Sequence, residues 1–342
     1  MTMKFEKRVR RKNEFDASLV YGTRKFNLLT QRDKHAQYRK SHDSDWILSE
    51  TSQLDPLRIQ DRNCPLCKTN DHEELFTKSG FPHVVCKQCS LVYVTPILTE
   101  EESQKLYVEF QSYGPVLESK ESVELHALEA DYCLDILNLY LPDKAANAIE
   151  ICDIGCGPGG LLMAARNRGH RVYAIEPNKK CQEILAANDI EYLDDFFPFS
   201  QVPDRLFDSV FLLNTLEHLK DPLETVKSIG ELLTPGGLIY LSVPNFHALV
   251  NRVLHEKGGT FGGHSHIQHF TSETLSRLLE QAGFEVLEFE TIITELGTIQ
   301  NYLSYKEPYY GEDAMVLDFI SPEAIYRNHL GRSLNIIGRK IG

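Results

Sequence analysis

The chain has 342 residues, 42% apolar and 25% charged, so it exceeds one average domain and has the make-up of a globular protein. Its apolar runs fall short of the ~18 residues a membrane helix needs, and the start MTMKFEKRVRRKNEF lacks the apolar core of a secretory signal, so a cytoplasmic protein is expected. The net charge of −13 is unevenly spread: residues 1–40 hold 12 of the 36 basic and only 4 of the 49 acidic residues. An acidic body repels phosphate backbones, which argues against a nucleic-acid partner, and the basic start reads as a solvated arm.

Residues 1–60 lack sustained periodicity and form this arm, with short helices expected at Phe15–Leu29 and Asp45–Leu54. Residues 61–97 read as a small module of extended pieces, Val84–Val85 and Leu91–Val94, flanking two cysteine pairs. Residues 98–144 read as a helical linker or lid: Thr99 and Glu102 form a capping-box pattern, and Leu125, Leu128, Tyr132, Ile136 and Leu139 recur at helical spacing up to Leu141-Pro142.

From residue 145 to 342 strands and helices alternate with short turns, the pattern of a parallel sheet. Strands are expected at Ala148–Ile154, Arg171–Ile175, near Ile190–Leu193, and at Phe207–Leu213, Gly237–Val243, Phe284–Ile293 and Leu334–Gly338. Helices are expected at Gly160–Gly169, Lys179–Asn188, Pro222–Leu233 and Ser272–Ala282. The fold class is therefore α/β, a doubly wound, mostly parallel seven-stranded sheet preceded by a small cysteine module. An insertion at about 295–331, carrying Tyr302, Tyr305, Tyr309 and Tyr310, separates the last two strands and offers a substrate contact or a homodimer contact.

Cys64 and Cys67, then Cys86 and Cys89 after eighteen intervening residues, have the spacing of a zinc site. Two Cys-x-x-Cys turns supply the tetrahedral thiolate set zinc prefers, and four protein ligands leave no open position, so the metal is structural. His72 and His83, between the pairs, read as bystanders, and Cys133, Cys152, Cys156 and Cys181 as small apolar fillers.

The run Ile151-Cys152-Asp153-Ile154-Gly155-Cys156-Gly157-Pro158-Gly159 is an apolar strand opening into glycines before a helix, a device that lets backbone amides approach a nucleotide-like ligand. The next strand ends at Glu176-Pro177, where a carboxylate can accept from both ribose hydroxyls. Asp153 would repel a pyrophosphate, so a cationic nucleoside fits better than a dinucleotide. In these residues the chain resembles the class I S-adenosylmethionine-dependent methyltransferases. The resemblance implies a Rossmann-like methyltransferase domain over 145–342, with donor contacts at Asp153, Gly155, Cys156, Gly157, Gly159, Glu176 and Pro177. By the same resemblance, Asp195 and Phe196 after the third strand meet the adenine, and Asn214 opens the phrase Asn214-Thr215-Leu216-Glu217-His218 after the fourth. The cysteine module with Leu106-Tyr107 and Tyr113-Gly114 is similar to a subgroup that modifies sugars and other metabolites.

Methyl transfer to a hydroxyl or a carbon acid is helped by a base. His266 and His269, in the glycine-rich stretch Gly262–His269, and His218 are the candidates, with Glu217 read as an orienting neighbour. The expected function is donor-dependent methylation of a sugar nucleotide, glycan precursor or other metabolite. An RNA methyltransferase using the basic arm and zinc module, or a catalytically silent donor-binding protein, are the alternatives.

Overall fold

The computed structural model describes residues 46–48, 53–108, 120–141, 148–195, 203–309 and 319–342. The expected helix at Phe15–Leu29, Tyr113-Gly114, Phe196 and Tyr310 lie outside these residues. Across the expected second helix of the arm, the described ends instead form an antiparallel bridge, Ile47 to Leu54, closed by Leu48 N donating to Gln53 O.

The first strands are β1 (Ile59–Gln60), β2 (His72–Lys78), β3 (Phe81–Cys86), β4 (Val92–Val94) and β5 (Ile97–Leu98). β2, β3 and β4 form an antiparallel meander, and β1 pairs with β5 beside it. Two helices follow, α1 (Glu100–Val108) and α2 (Lys120–Tyr140). Thr99 Oγ1 accepts from Glu102 N at 3.4 Å, the cap the sequence signals at the start of α1. α2 lays Ala130, Tyr132, Cys133, Leu134, Ile136 and Leu137 on the core, the helical stripe of its sequence.

The rest alternates as its apolar runs dictate: β6 (Glu150–Ile154), α3 (Gly160–Asn167), β7 (Arg171–Ile175), α4 (Lys179–Ala187), β8 (Tyr192–Leu193), β9 (Phe207–Leu213), α5 (Pro222–Leu232), β10 (Leu233–Pro244) and α6 (Leu249–Leu254). Then come β11 (Gln268–His269), α7 (Ser272–Gln281), β12 (Phe284–Ile292), α8 (Leu296–Leu303), α9 (Pro322–Arg327) and β13 (Ser333–Lys340). The large sheet has the order β12-β13-β10-β9-β6-β7-β8, with β13 antiparallel to both neighbours. β10, β9, β6, β7 and β8 are parallel. The order reverses between β6 and β9, and this switch point opens a crevice at the carboxyl ends of the strands, where open α/β sheets bind ligands.

β10 begins at Leu233, earlier than its apolar run suggests, because Leu233 pairs with Phe207 across an irregularity at Thr234–Gly237. The cysteine module shares the main core: Cys64, Leu66, Val84 and Tyr93 belong to one buried cluster with Leu216, Phe270 and Leu275. β11, from the long connection after β10, joins the module's sheet on β4. Among the described residues, no helix is long and apolar enough to cross a membrane.

Candidate active site and four-cysteine centre

The glycine loop follows β6. Gly155 and Gly159 hold φ of 70° and 78°, and a Cβ there would meet Thr215 Oγ1 at 2.6 Å and Leu185 Cδ2 at 2.5 Å. Both are glycine because backbone handedness and neighbours leave no room for a side chain. Gly157, with φ of 55°, has nothing within 4 Å of a would-be Cβ, so the loop leaves open space there. Glu176 braces it, accepting Gly157 N at 2.7 Å and Asn178 N at 2.8 Å. Burial pushes the Glu176 carboxyl up to about 7 against those two hydrogen bonds. Each carboxylate oxygen keeps a further lone pair for a ligand hydroxyl.

Asp153, on β6, is 3% exposed, and its Oδ1 has no hydrogen-bond partner. Burial, then the charges of Glu176 and Glu129, hold its carboxyl well above the usual range. Glu129, on α2, is itself pushed up to about 7 by burial. Nothing local in the sequence marks it; only the packing of α2 over the glycine loop, where His126 Cβ lies 3.5 Å from a Cβ built on Gly160, brings it there. Asp153, with its orphaned oxygen, Glu176 and Glu129 together make a cradle suited to a cation. S-adenosylmethionine, with its sulfonium, its ammonium and a ribose diol, has the chemistry this cradle accepts.

Of the other donor-side candidates, Cys156 is half-buried with Sγ 3.5 Å from Gly157 O, and Pro177 is half-buried in the turn after Glu176. Asn178 caps α4, and Gln182 Nε2 bonds Glu176 O at 2.7 Å and Asp194 Oδ1 at 2.8 Å. Asp195, half-buried, ends the described segment after β8, and Phe196 falls outside it. Asn214 sits exposed in a left-handed turn (φ 55°) at the end of β9, its N donating to Ser242 O.

Across the switch point, Leu216–His218 form a single 3-10 turn. His218 Nδ1 donates to Ser265 O at 3.0 Å, which leaves Nε2 as the lone-pair nitrogen. Burial lowers the His218 pKa, so the ring is neutral at pH 7. Its Nε2 lies 3.9 Å from Glu217 Oε1. Glu217 is 1% exposed, neither of its oxygens has a hydrogen bond, and burial pushes it up to about 8. The His266 ring packs edge-on to His218 at 4.8 Å, and one ligand atom from each of Glu217, His218 and His266 lies within 4.8 Å of the others. Arg332 stands nearby, 3.6 Å from Glu295, and its charge opposes the upward shifts of Glu129 and Glu217. Tyr107 joins the two sides: its backbone O accepts Asn178 Nδ2 at 3.1 Å, its hydroxyl reaches Ser265 O at 3.4 Å, and its ring packs on His218.

Two expectations are corrected. His269 does not join His218 and His266: it is 3% exposed on β11, stacked on His83 at 5.1 Å and edge-on to Phe261 at 5.0 Å. Burial drives its pKa well down, and its ring is part of the seam between module and sheet. His83, read as a bystander to the cysteines, lies outside the four-thiol cluster and forms the other half of that stack. Glu217, read as an orienting neighbour, is clustered with His218 and His266; the signal was its adjacency to His218 in a tight turn that points both side chains to one place.

The four thiols of Cys64, Cys67, Cys86 and Cys89 lie within 4.8 Å of one another, with Cys64 to Cys89 and Cys67 to Cys86 both at 3.4 Å. These separations far exceed an S–S bond and approach the ~3.8 Å edge of a tetrahedron with Zn–S of 2.3 Å. The hydrogen bond between Cys64 and Cys89 holds the Cys64 thiol down at about 5 and pushes Cys89 up. The donor set fits a zinc ion.

Residues 125–289 match the methyltransferase domain family. The ubiquinone biosynthesis O-methyltransferase of Aeromonas salmonicida is 27% identical over 169 residues, which span 45% of this chain and 71% of that protein. The enzymes of the same name from Dinoroseobacter shibae and Arabidopsis thaliana (mitochondrial) are each 30% identical, over 152 and 168 residues. Those matches span 41% and 42% of this chain, but 61% and 49% of the relatives' lengths. With its strand order, glycine loop and acidic strand end, the chain is similar to the class I S-adenosylmethionine-dependent methyltransferases.

Proposed function

We propose that this chain transfers the methyl group of S-adenosylmethionine to a hydroxyl or an acidic C–H of a small-molecule acceptor, a sugar nucleotide, glycan precursor or related metabolite. The single observation that carries the reading is His218: its Nδ1 is fixed as donor to Ser265 O, so the neutral ring carries its lone pair on Nε2, beside Glu217. The curated relatives, ubiquinone biosynthesis O-methyltransferases, favour a small molecule as acceptor.

In this reading Gly155, Cys156, Gly157 and Gly159 seat the donor's amino-acid part, Asp153 balances its positive charge, and Glu176 with Pro177 takes the ribose. Asp195 and Phe196 border the adenine, and Asn214 lines the turn beside it. The bound donor supplies an electrophilic methyl group. The chain's own residues orient the acceptor against it, exclude water and receive the acceptor's proton on His218 Nε2, beside Glu217 and His266. The division into an arm to residue 60, a module at 61–97, a lid at 98–144 and a transfer domain at 145–342 belongs to the same proposal, as does a cytoplasmic setting, which suits free thiols.

Methyl-labelled donor incubated with source-cell extract, then separated into metabolite, glycan, RNA and protein fractions, tests the reading. Label in the metabolite or glycan fraction is expected; label confined to RNA overturns it. One zinc per chain is expected on the four cysteines, and Cys64→Ser should purify with less than half of it and a module sensitive to proteolysis. Elemental analysis that finds no zinc in freshly purified wild type would remove the metal from the account.

A further inference from the structure

One side chain of the cysteine module reaches both loops of the site. Arg62, two residues before Cys64, donates Nε to Val94 O at 2.9 Å and Nη1 to Lys220 O at 3.2 Å and to Gln268 Oε1 at 3.3 Å, while Nη2 donates to Ile267 O. Lys220 follows His218 by two residues, and Ile267 follows His266 by one. A single guanidinium thus joins β4 of the module to both histidine-bearing loops, a use of the five-donor fork that lysine cannot reproduce.

The neighbouring contacts run the same way. Ile267 N donates to Glu217 O, and Gln268 Nε2 donates to Leu216 O and Leu219 O, so the two loops are also laced to each other. Val94 N donates to Ile267 O, and β11 pairs with β4, next in the sheet to β3, which carries Cys86. A Cβ on Gly263 would lie 2.3 Å from Phe81 Cβ, so the loop that carries His266 rests directly on β3. Trp46, the only tryptophan, stacks on His264 of that loop at 5.0 Å and packs edge-on to Phe81 at 6.5 Å. By contrast, the polar groups of the donor cradle bond to one another and to Tyr107 and Asp194: Glu176 to Gly157 and Asn178, Gln182 to Glu176 and Asp194, and Asn178 to the Tyr107 carbonyl.

We propose that Arg62 is a positioning residue through which the four-cysteine module holds both histidine loops, so that loading the module sets the acceptor side of the site and leaves the donor side alone. This rests on the reading of His218 and His266 as acceptor-side groups. It gives the module a task beyond stabilising itself, and it makes removal of its metal a loss of transfer rather than a loss of donor binding.

The test uses the full chain with and without a zinc chelator, and the variants Arg62→Lys and Arg62→Gln. Hydrogen exchange is followed in peptides covering 214–222 and 262–271 against 150–160 and 171–182, with S-adenosylhomocysteine affinity and Trp46 emission measured alongside. Chelation and Arg62→Gln are expected to speed exchange about tenfold or more in the first pair of peptides, to shift Trp46 emission to the red, and to leave the second pair and the ligand affinity within twofold. Arg62→Lys, which keeps charge without the fork, is expected to fall between the wild type and Arg62→Gln. Unchanged exchange at 214–222 and 262–271 overturns the proposal, and so does equal loosening of all four peptides. These readouts need no acceptor: if they come out as expected while His218→Ala and His266→Ala leave transfer unchanged, the module's hold on the loops stands and the reading of the histidines falls.

Discussion

Asp153→Asn is expected to weaken S-adenosylmethionine binding roughly 10- to 150-fold, the effect of about 1.5–3 kcal/mol for a lost bond to a charged group, measured by titration calorimetry. The same substitution should raise the melting temperature of the ligand-free protein. Asp153 is buried with an unpartnered oxygen, and its ionised form is opposed by burial and by Glu176 and Glu129. A carboxyl whose folded pKa is raised favours the folded state when protonated, so its ionisation destabilises the fold increasingly as pH rises above the ordinary range. Asparagine removes that ionisation and keeps the shape. The ligand-free protein therefore carries a destabilised group that the donor's cation relieves, and stability and affinity should move in opposite directions. Unchanged affinity would show that the cradle does not hold the donor's charge.

His218→Ala is expected to lower turnover about 10²- to 10⁴-fold, the range for loss of a positioned general base, with donor affinity within twofold of the wild type. Burial lowers the His218 pKa, so the free base persists below pH 6.5, and activity should fall on the acid side only as pH drops through that lowered value. Glu217→Gln should give a smaller loss, because it removes a carboxyl able to stabilise the imidazolium but leaves the base itself. An acid limb unmoved by His218→Ala would place the base on another residue.

The parallel sheet was legible because its strands are short apolar runs between punctuating residues: Arg171–Ile175 lies between Gly169-His170 and Glu176-Pro177, and Phe207–Leu213 between Leu206 and Asn214. The grouping of glycine loop, Asp153 and Glu176 was legible because they sit within one βαβ unit, where sequence spacing is nearly spatial spacing. The acceptor side was not, because it is assembled from distant pieces. Glu217 acquires its place only when Ile267 N pairs with its carbonyl, and Arg62 reaches Lys220 only through the docking of the module. His269 looked equivalent to His266 in the sequence, yet pairing with Val92 draws it into the module's sheet, against His83. Glu129 is invisible from its own helix, since its neighbours Asp153, on β6, and Arg332, just before β13, come from farther along the chain.

The most direct test of the central claim is a crystal structure of the full chain with S-adenosylhomocysteine. The account predicts ribose hydroxyls on Glu176, the amino-acid part over Gly155–Gly157 beside Asp153, and the sulfur facing the crevice shared by His218 and His266. A ligand bound away from the glycine loop, or a sulfur turned from His218, would contradict it.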